Sequence, residues 1–347
     1  MDPLSQAVLG ANFSQIPNGK KMWIVTTCLG FAAGLAADLD VLIYSSSDPL
    51  LSLEYHRQFT HSLIFIPVGA LIVTIFSRLI TRQYLSWSKN YLACFFGYAS
   101  HALLDSCTSY GTQLFWPFSD ERVAWNIISI VDPLFTIPVL IFIIIAAFKG
   151  SKLFSCIGLL WGILYLSIGI IQKERALVAG LNIANTRSHF AHKLSVKPAF
   201  GNLLIWKSIY EHNNFYFVDA IRLGTDIQYC IGEKIEKFNL SRHVPNLDKD
   251  SQQAIDIKKF HWFSDGYLAF NEKSKLILDV RYSMVPNTID PLWGIIINAK
   301  AERTEHVKWW ESKKPTESQQ NKFFQLFRGK NCVKGITIKK NSINTKL

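Results

Sequence analysis

Apolar residues gather into long, almost unbroken runs before residue 172 and into short, partly alternating runs after it. Spanning a bilayer takes about 20 predominantly apolar residues, because every backbone N–H must be paired inside the segment once water is gone. Five stretches meet that requirement, at 22–44, 61–80, 91–110, 127–148 and 153–171. The run at 3–16 is apolar on one face but only about 14 residues long, which suits a re-entrant or interfacial helix. Pro17-Asn18-Gly19 then reads as a turn. Lys20 and Lys21 follow this first apolar run instead of leading it, unlike the basic region of a cleaved signal peptide.

Beyond residue 172 the period changes. The segment 172–193 has helix-forming composition and extends from the last span. Strand signals recur at 214–223, 260–270, 276–282 and 292–299, rich in β-branched and aromatic residues and separated by Asn, Asp, Gly and Pro. A short helix is predicted at 318–327. The expected architecture is an α-helical membrane domain at 1–172, with about five transmembrane helices plus a short N-terminal helix. An α+β, strand-rich soluble domain follows at 173–347, built as a mixed sheet or small sandwich.

Charge sharpens the division. The 347 residues are 49% apolar and 18% charged, with a net charge of +11, which excludes a disordered chain, a collagenous one and a small disulfide scaffold. Residues 1–172 carry 9 Lys/Arg against 9 Asp/Glu, while residues 173–347 carry 28 against 17 and so hold the whole excess. Lys20/Lys21, Arg78/Arg82/Lys89 and Lys149/Lys152 lie in alternate loops, which the positive-inside rule assigns to the cytoplasm. The soluble half is then outside, in the periplasm of a bacterium. Its basic excess is too dispersed to be a nucleic-acid-reading motif, and is suited instead to anionic lipid. Cys230 and Cys332 are the two cysteines of that half, and a disulfide between them is permitted but not implied. Its six histidines read mostly as surface or structural residues, and Trp262, Phe263, Trp309 and Trp310 as core.

The candidate chemistry lies in the membrane half. Its only histidines are His56, His61 and His101, and its intramembrane or membrane-edge acids are Asp38, Asp40, Asp105 and Asp132. All seven fall at one face, the outer one in this topology. A charge at the centre of a span costs about 2.5–3.5 kcal/mol on insertion scales, so such residues persist when paired, ligated or lining a wet cavity. His101 and Asp105 are four apart, so a helix projects both from one face. Asp38 and Asp40 are two apart and would diverge on a regular helix, which predicts that the helix ends or distorts there. A mixed set of imidazoles and carboxylates suits zinc best and manganese or iron less specifically. Asp132 alone reads as a helix cap. Arg57 is either a clamp for a phosphate or a snorkelling interfacial cation.

These residues carry a resemblance. Met1-Asp2-Pro3-Leu4, Asp38-Leu39-Asp40, the block His56-Arg57-Gln58-Phe59-Thr60-His61-Ser62, the run 97–111 with His101 and Asp105, Trp116-Pro117-Phe118 and the downstream Trp262-Phe263-Ser264-Asp265-Gly266 together resemble the YdjM-like, LexA-regulated family of inner-membrane metal-dependent hydrolases. That family is remotely similar to zinc-dependent phospholipases C and single-strand nucleases. The resemblance implies Asp38, Asp40, His56, His61, His101 and Asp105 as ligands of one to three divalent ions, with zinc expected, and catalytic roles for Asp38, Asp40 and Arg57. Many relatives carry a histidine near position 6, where this chain has Gln6, a weak zinc ligand.

The leading expectation is therefore a membrane-embedded hydrolase of a phosphoester, with phospholipids or lipid-linked phosphates as the most available substrates and membrane lipids as partners. A metal or ion transporter using the same ligands, or a membrane-anchored scaffold with a structural metal site, are the competing classes. A transporter needs polar residues continuing to the opposite face, and the inner halves of these spans offer almost none.

Overall fold

The computed structural model describes residues 1–15, 22–298 and 300–334. The expected turn at Pro17-Asn18-Gly19 and the basic pair Lys20/Lys21 lie outside the described residues. Two compact units are present: residues 1–44, 51–171 and 200–203 form the first, and 45–50, 172–199 and 204–347 the second.

In the first unit, helix α1 (Pro3–Gln15) starts on a strong local signal: the Asp2 carboxylate accepts the Ser5 N–H at 3.0 Å, and Pro3, which has no N–H to lose, sits in the first turn. Of the two forms expected, re-entrant or interfacial, the helix is not the interfacial one, because ten of its 13 residues are buried. It packs instead against α2 (Trp23–Ala36). The two backbones touch: a Cβ on Gly34 would stand 2.6 Å from the Gln6 carbonyl oxygen, and one on Gly10 2.5 Å from that of Gly30. Only glycine permits this approach. After α2 the chain tightens into a 3-10 segment, Ala37–Leu42, the distortion that Asp38 and Asp40 required. Then come α3 (Leu51–Tyr55), a 3-10 turn at Phe59–His61, α4 (Ile66–Thr81), α5 (Trp87–Cys107), α6 (Pro133–Lys149) and α7 (Lys152–Thr186).

Fewer helices than expected are long and apolar enough to cross a membrane. Trp23–Leu42 and Lys152–Thr186 qualify, and a third span exists if Leu51–His61 and Ile66–Thr81, bent by 87°, count as one. Helix α6 has 17 residues. Helix α5 has the length but carries Asn90, Ser100, His101, Asp105 and Ser106, all buried, so its inward face is polar. The outward face of α5 is apolar, with Leu92, Phe96 and Leu103 exposed. Asp132 takes the capping role, accepting the Leu134 N–H at the start of α6 and the Tyr165 hydroxyl at 2.8 Å.

The second unit holds two antiparallel sheets rather than a mixed one. The first has the order β1 (Leu194–Pro198), β2 (Ile205–His212), β3 (Phe215–Leu223), β4 (Ile227–Glu236), β9 (Val333–Lys334). The second runs β5 (Leu268–Asn271), β6 (Leu276–Asp279), β7 (Trp293–Ile296), β8 (Lys308–Glu311). They share a core in which Ile209, Tyr216 and Val218 meet Tyr267, Leu276 and Leu278. Asn213 and Asn214, both with positive φ, make the two-residue turn joining β2 to β3. Helices α8 (Leu240–His243), α9 (Gln252–Phe263) and α10 (Glu317–Phe327) complete the unit, and Cys230 pairs with Cys332. The strand expected from residue 260 is half helix: Ser251 caps α9 by accepting the Ala254 N–H, and Phe260 and Phe263 at its end pack inward as helix. Phe263 is core, Trp309 and Trp310 are half-buried, and Trp262 is 41% exposed.

Strand β2 was missed because six successive positions are buried and no alternation marks it. One of the six is Lys207, whose amine donates to Ser283 Oγ at 2.6 Å and to the Thr288 carbonyl at 3.0 Å. Burial pushes this amine down to about 7, against the pull of Asp279, Glu233 and Asp290. In the unfolded chain it keeps its ordinary value near 10.5. Between those values the unfolded chain binds a proton that the folded one does not, so stability contributed by this site rises with pH from about 7 to 10.5 and the burial cost is fully felt below 7. At about 1.4 kcal/mol per unit this amounts to roughly 3–5 kcal/mol. Lys207→Met is expected to flatten that rise in unfolding scans taken from pH 6 to 10; an unchanged slope would mean that the amine is not desolvated.

Candidate metal centre

Four segments bring the site together. The 3-10 segment after α2 supplies Asp38 and Asp40, the loop and 3-10 turn before α4 supply His56, Arg57 and His61, α5 supplies His101 and Asp105, and α1 supplies Gln6. His61, His101 and Asp105 have no exposed surface, Asp40 retains 3%, and the Asp38 and His56 side chains form the accessible edge at 21% and 38%.

One group comprises Asp38, His61, His101 and Asp105. The two Nε2 atoms are 2.9 Å apart. Asp38 Oδ1 lies 3.4 Å from His61 Nε2 and 3.3 Å from His101 Nε2, and Asp105 Oδ2 lies 3.4 and 3.8 Å from the same atoms. A tetrahedral ion with ligand bonds of about 2.0–2.1 Å separates its ligands by about 3.3 Å, so these edges have the dimensions of a ligand shell.

The protonation pattern points the same way. His101 Nδ1 faces the Gly34 carbonyl at 2.6 Å, an acceptor only, so Nδ1 carries the hydrogen and Nε2 is bare. His61 Nδ1 faces Thr60 Oγ1 at 2.9 Å, and that hydroxyl gives its own hydrogen to Asp40 Oδ2 at 2.7 Å, so His61 Nε2 is bare as well. With both imidazoles neutral, two bare nitrogens and two carboxylate oxygens thus converge, and Asp105 Oδ2, buried without a hydrogen bond, has the Arg57 Nε 3.0 Å away as a charged partner outside the group. In those tautomers all four atoms present lone pairs to one point, the arrangement that a divalent cation takes. The residues fit a divalent metal.

Asp38 also belongs to a second group with Asp40 and His56, so it stands where a bridging carboxylate would stand. Asp40 is chiefly an organiser. It accepts from the Arg57 N–H at 3.0 Å and from Thr60 Oγ1, and contacts His56 Nδ1 at 2.7 Å. One buried carboxylate thereby orients both histidines of the His56–His61 block. Arg57, at a positive φ of 66°, neither snorkels nor faces solvent: it is buried, its Nε is 3.0 Å from Asp105 Oδ2, and its Nη1 donates to Thr108 Oγ1 at 3.2 Å. Gln6 Nε2 donates to Asp105 Oδ1 at 2.6 Å, and the Met1 ammonium pairs with the same oxygen. Gln6 therefore reaches the centre through Asp105, as a donor and not as a ligand. Thr60, Thr108 and the Gly34 carbonyl support the centre and were not singled out from sequence; only the position of Thr60 inside the histidine block hinted at it.

A further group, Asp48, Asp256 and His306, lies in the second unit. Its residues are too far apart in sequence to have been linked. Asp256 already accepts from Gln252 Nε2 at 3.0 Å and the Val307 N–H at 3.0 Å and pairs with His306 Nδ1, while Lys259 stands 3.8 Å from Asp48, so the group reads as an ion network holding the loop 45–50.

A helical unit with long apolar helices and a buried, convergent set of imidazoles and carboxylates defines a membrane protein with a candidate metal centre. The YdjM inner membrane protein family matches over residues 1–176, half of the chain and all of the ligand set, and the chain belongs to that family. It is also similar to the inner membrane protein YbcI of Escherichia coli (strain K12), at 33% identity over 105 residues. That match covers 29% of this chain and 60% of the relative's length. No solved structure matches the chain.

Proposed function

We propose that this chain is a multi-pass, metal-dependent hydrolase of the inner membrane that cleaves the phosphoester of an amphiphile, a phospholipid or a lipid-linked phosphate, at the outer face. The observation that carries the reading is the convergence of His61, His101, Asp38 and Asp105, joined through Asp38 to Asp40 and His56 and accessible along the Asp38–His56 edge. Zinc is the proposed ion, by its preference for mixed nitrogen and oxygen ligands. When bound, such ions supply hydroxide at neutral pH and stabilise a leaving oxygen. The chain's own residues then have separable roles. Asp38 joins the two groups, Asp40 holds His56 and, through Thr60, His61, and Arg57 balances the charge of Asp105.

The topology belongs to the same proposal. Helices α5 and α6 complete five spans, with the apolar face of α5 toward lipid. The loops with Arg78, Arg82, Lys89, Lys149 and Lys152 lie in the cytoplasm, and the second unit lies in the periplasm, where a Cys230–Cys332 disulfide persists.

The test is turnover of a panel of headgroup-labelled phospholipids and lipid-linked phosphates by the reconstituted protein. Release of headgroup should be abolished by a chelator and restored by zinc. Absence of turnover across the panel by fully metal-loaded protein, together with metal flux into proteoliposomes, would replace the hydrolase by a transporter.

A further inference from the structure

A groove of about 720 Å³ opens along the first unit beside the metal centre, lined by residues of α2, α4 and α5. It is lined by the small residues Ala32, Ala36 and Gly69 and by Leu35, Phe65, Ile72, Val73 and Phe76. The three hydroxyls along it are already engaged. Tyr98 donates to the Thr60 carbonyl at 2.8 Å, Thr60 is bonded to Asp40, and Ser77 donates to the Thr74 carbonyl at 3.0 Å. What the groove offers an occupant is therefore hydrocarbon contact.

Its two ends differ. One end is Thr60 and Leu39, the first bonded to Asp40 and the second standing between Asp38 and Asp40 in the chain. The rim there is apolar and open, with Leu39, Val41, Leu42 and Tyr44 between 57% and 75% exposed. The other end is Phe76 and Ser77, near the far end of α4. From Phe65 to Ser77 the groove follows α4 for about 18 Å at 1.5 Å per residue. Half of a hydrocarbon core about 30 Å thick is about 15 Å, so the groove has the length of one leaflet.

We infer that this groove is the hydrocarbon-binding part of the site, taking one acyl or prenyl chain of the amphiphile whose phosphate group lies at the Asp38–His56 edge. The inference rests on the hydrolase reading above and names how its substrate is held. A water-soluble phosphoester has no use for an apolar trough one leaflet long that begins at a metal centre. A partner's transmembrane helix seated on Ala32 and Ala36 is the competing occupant, and it would keep a lipid chain out of the groove. The substrate enters sideways from the bilayer, without leaving it, which avoids the cost of exposing its chain to water, about 0.8 kcal/mol per methylene.

The experiment uses the full chain in phosphatidylglycerol vesicles doped with the same lipid bearing a photoreactive group at mid-chain, with crosslinks mapped by mass spectrometry. Labelling of Ile72, Val73 and Phe76 is expected to exceed that of outward residues of α6 and α7, such as Ile141 and Ile170, at least fivefold. Ala32→Trp and Val73→Trp, which fill the groove, should each remove that excess while retaining bound metal, and Ile141→Trp should leave it in place. Equal labelling on all lipid-facing helices, or an excess that survives both groove-filling variants, would overturn the inference even if chelator-sensitive hydrolysis is observed. Concentrated labelling in a protein that hydrolyses nothing in the lipid panel would instead overturn the hydrolase reading and leave the chain-binding groove standing.

Discussion

Replacing His101 with alanine is expected to strip at least one metal ion per chain from purified, zinc-loaded protein, with a loss of affinity well above 100-fold. The expectation follows from geometry. His101 Nε2 forms three short edges of the tetrahedral group, to His61, Asp38 and Asp105, and its ring is held by the Gly34 carbonyl. Loss of an outer partner of a metal ligand typically costs about 10–100-fold, and loss of the ligand itself costs more. Asp105→Ala is expected to behave likewise, with an added stability loss, because it strands the buried Arg57 guanidinium without its carboxylate. Metal content by mass spectrometry, measured beside a folded-state check, decides the matter. Full stoichiometry in both variants would remove the metal centre from this protein.

Gly34→Val is the second large effect. Even a single Cβ at position 34 would meet the Gln6 carbonyl oxygen at 2.6 Å and the Ala7 Cα at 3.3 Å, backbone atoms that cannot rotate away. Helix α1 must then separate from α2, or α2 must shift against α5, whose Gly97 is as closely packed on Gly30. Overpacking of this kind costs about 1–3 kcal/mol and more where backbones collide. The damage reaches the centre by two routes: Gln6 is withdrawn from Asp105, and the Gly34 carbonyl no longer fixes the His101 tautomer. A fall in unfolding temperature in detergent, protease cleavage within α1 and loss of bound metal are expected together. Retention of metal in a destabilised protein would mean that the centre does not depend on α1.

The ligand residues were legible because each sits in a local pattern with a meaning of its own. His101 and Asp105 share a helix face by spacing. Asp38 and Asp40 cannot both serve one site from a regular helix, and the 3-10 segment is the consequence. The histidine block before α4 repeats donors within six residues. Gln6 was legible only as a departure from a pattern, and its reach to Asp105 depends on α1 lying deep against α2 and α5 instead of at an interface. Helix α5 shows how a site weakens the signal of a span. Its composition reads as a span, yet the buried polar residues that lower its hydropathy are those the site requires. Strand β2 and helix α9 were lost for related reasons, one buried on both faces with no alternation, the other rich in aromatics that favour strands in isolation.

Local chemistry along the chain was thus enough for the division into an apolar and a basic half, the start of α1 and the break after α2, and it marked the His and Asp residues from which the candidate ligands are drawn. Those depend on composition, helix period and capping, which act over a few residues. The pairing of bare nitrogens, the sharing of Asp38 between two groups, the turning inward of Arg57 and the groove beside Thr60 came from the fold alone. Each depends on backbones held apart by the width of a glycine or on side chains tens of residues distant in sequence, and no local preference encodes such a distance.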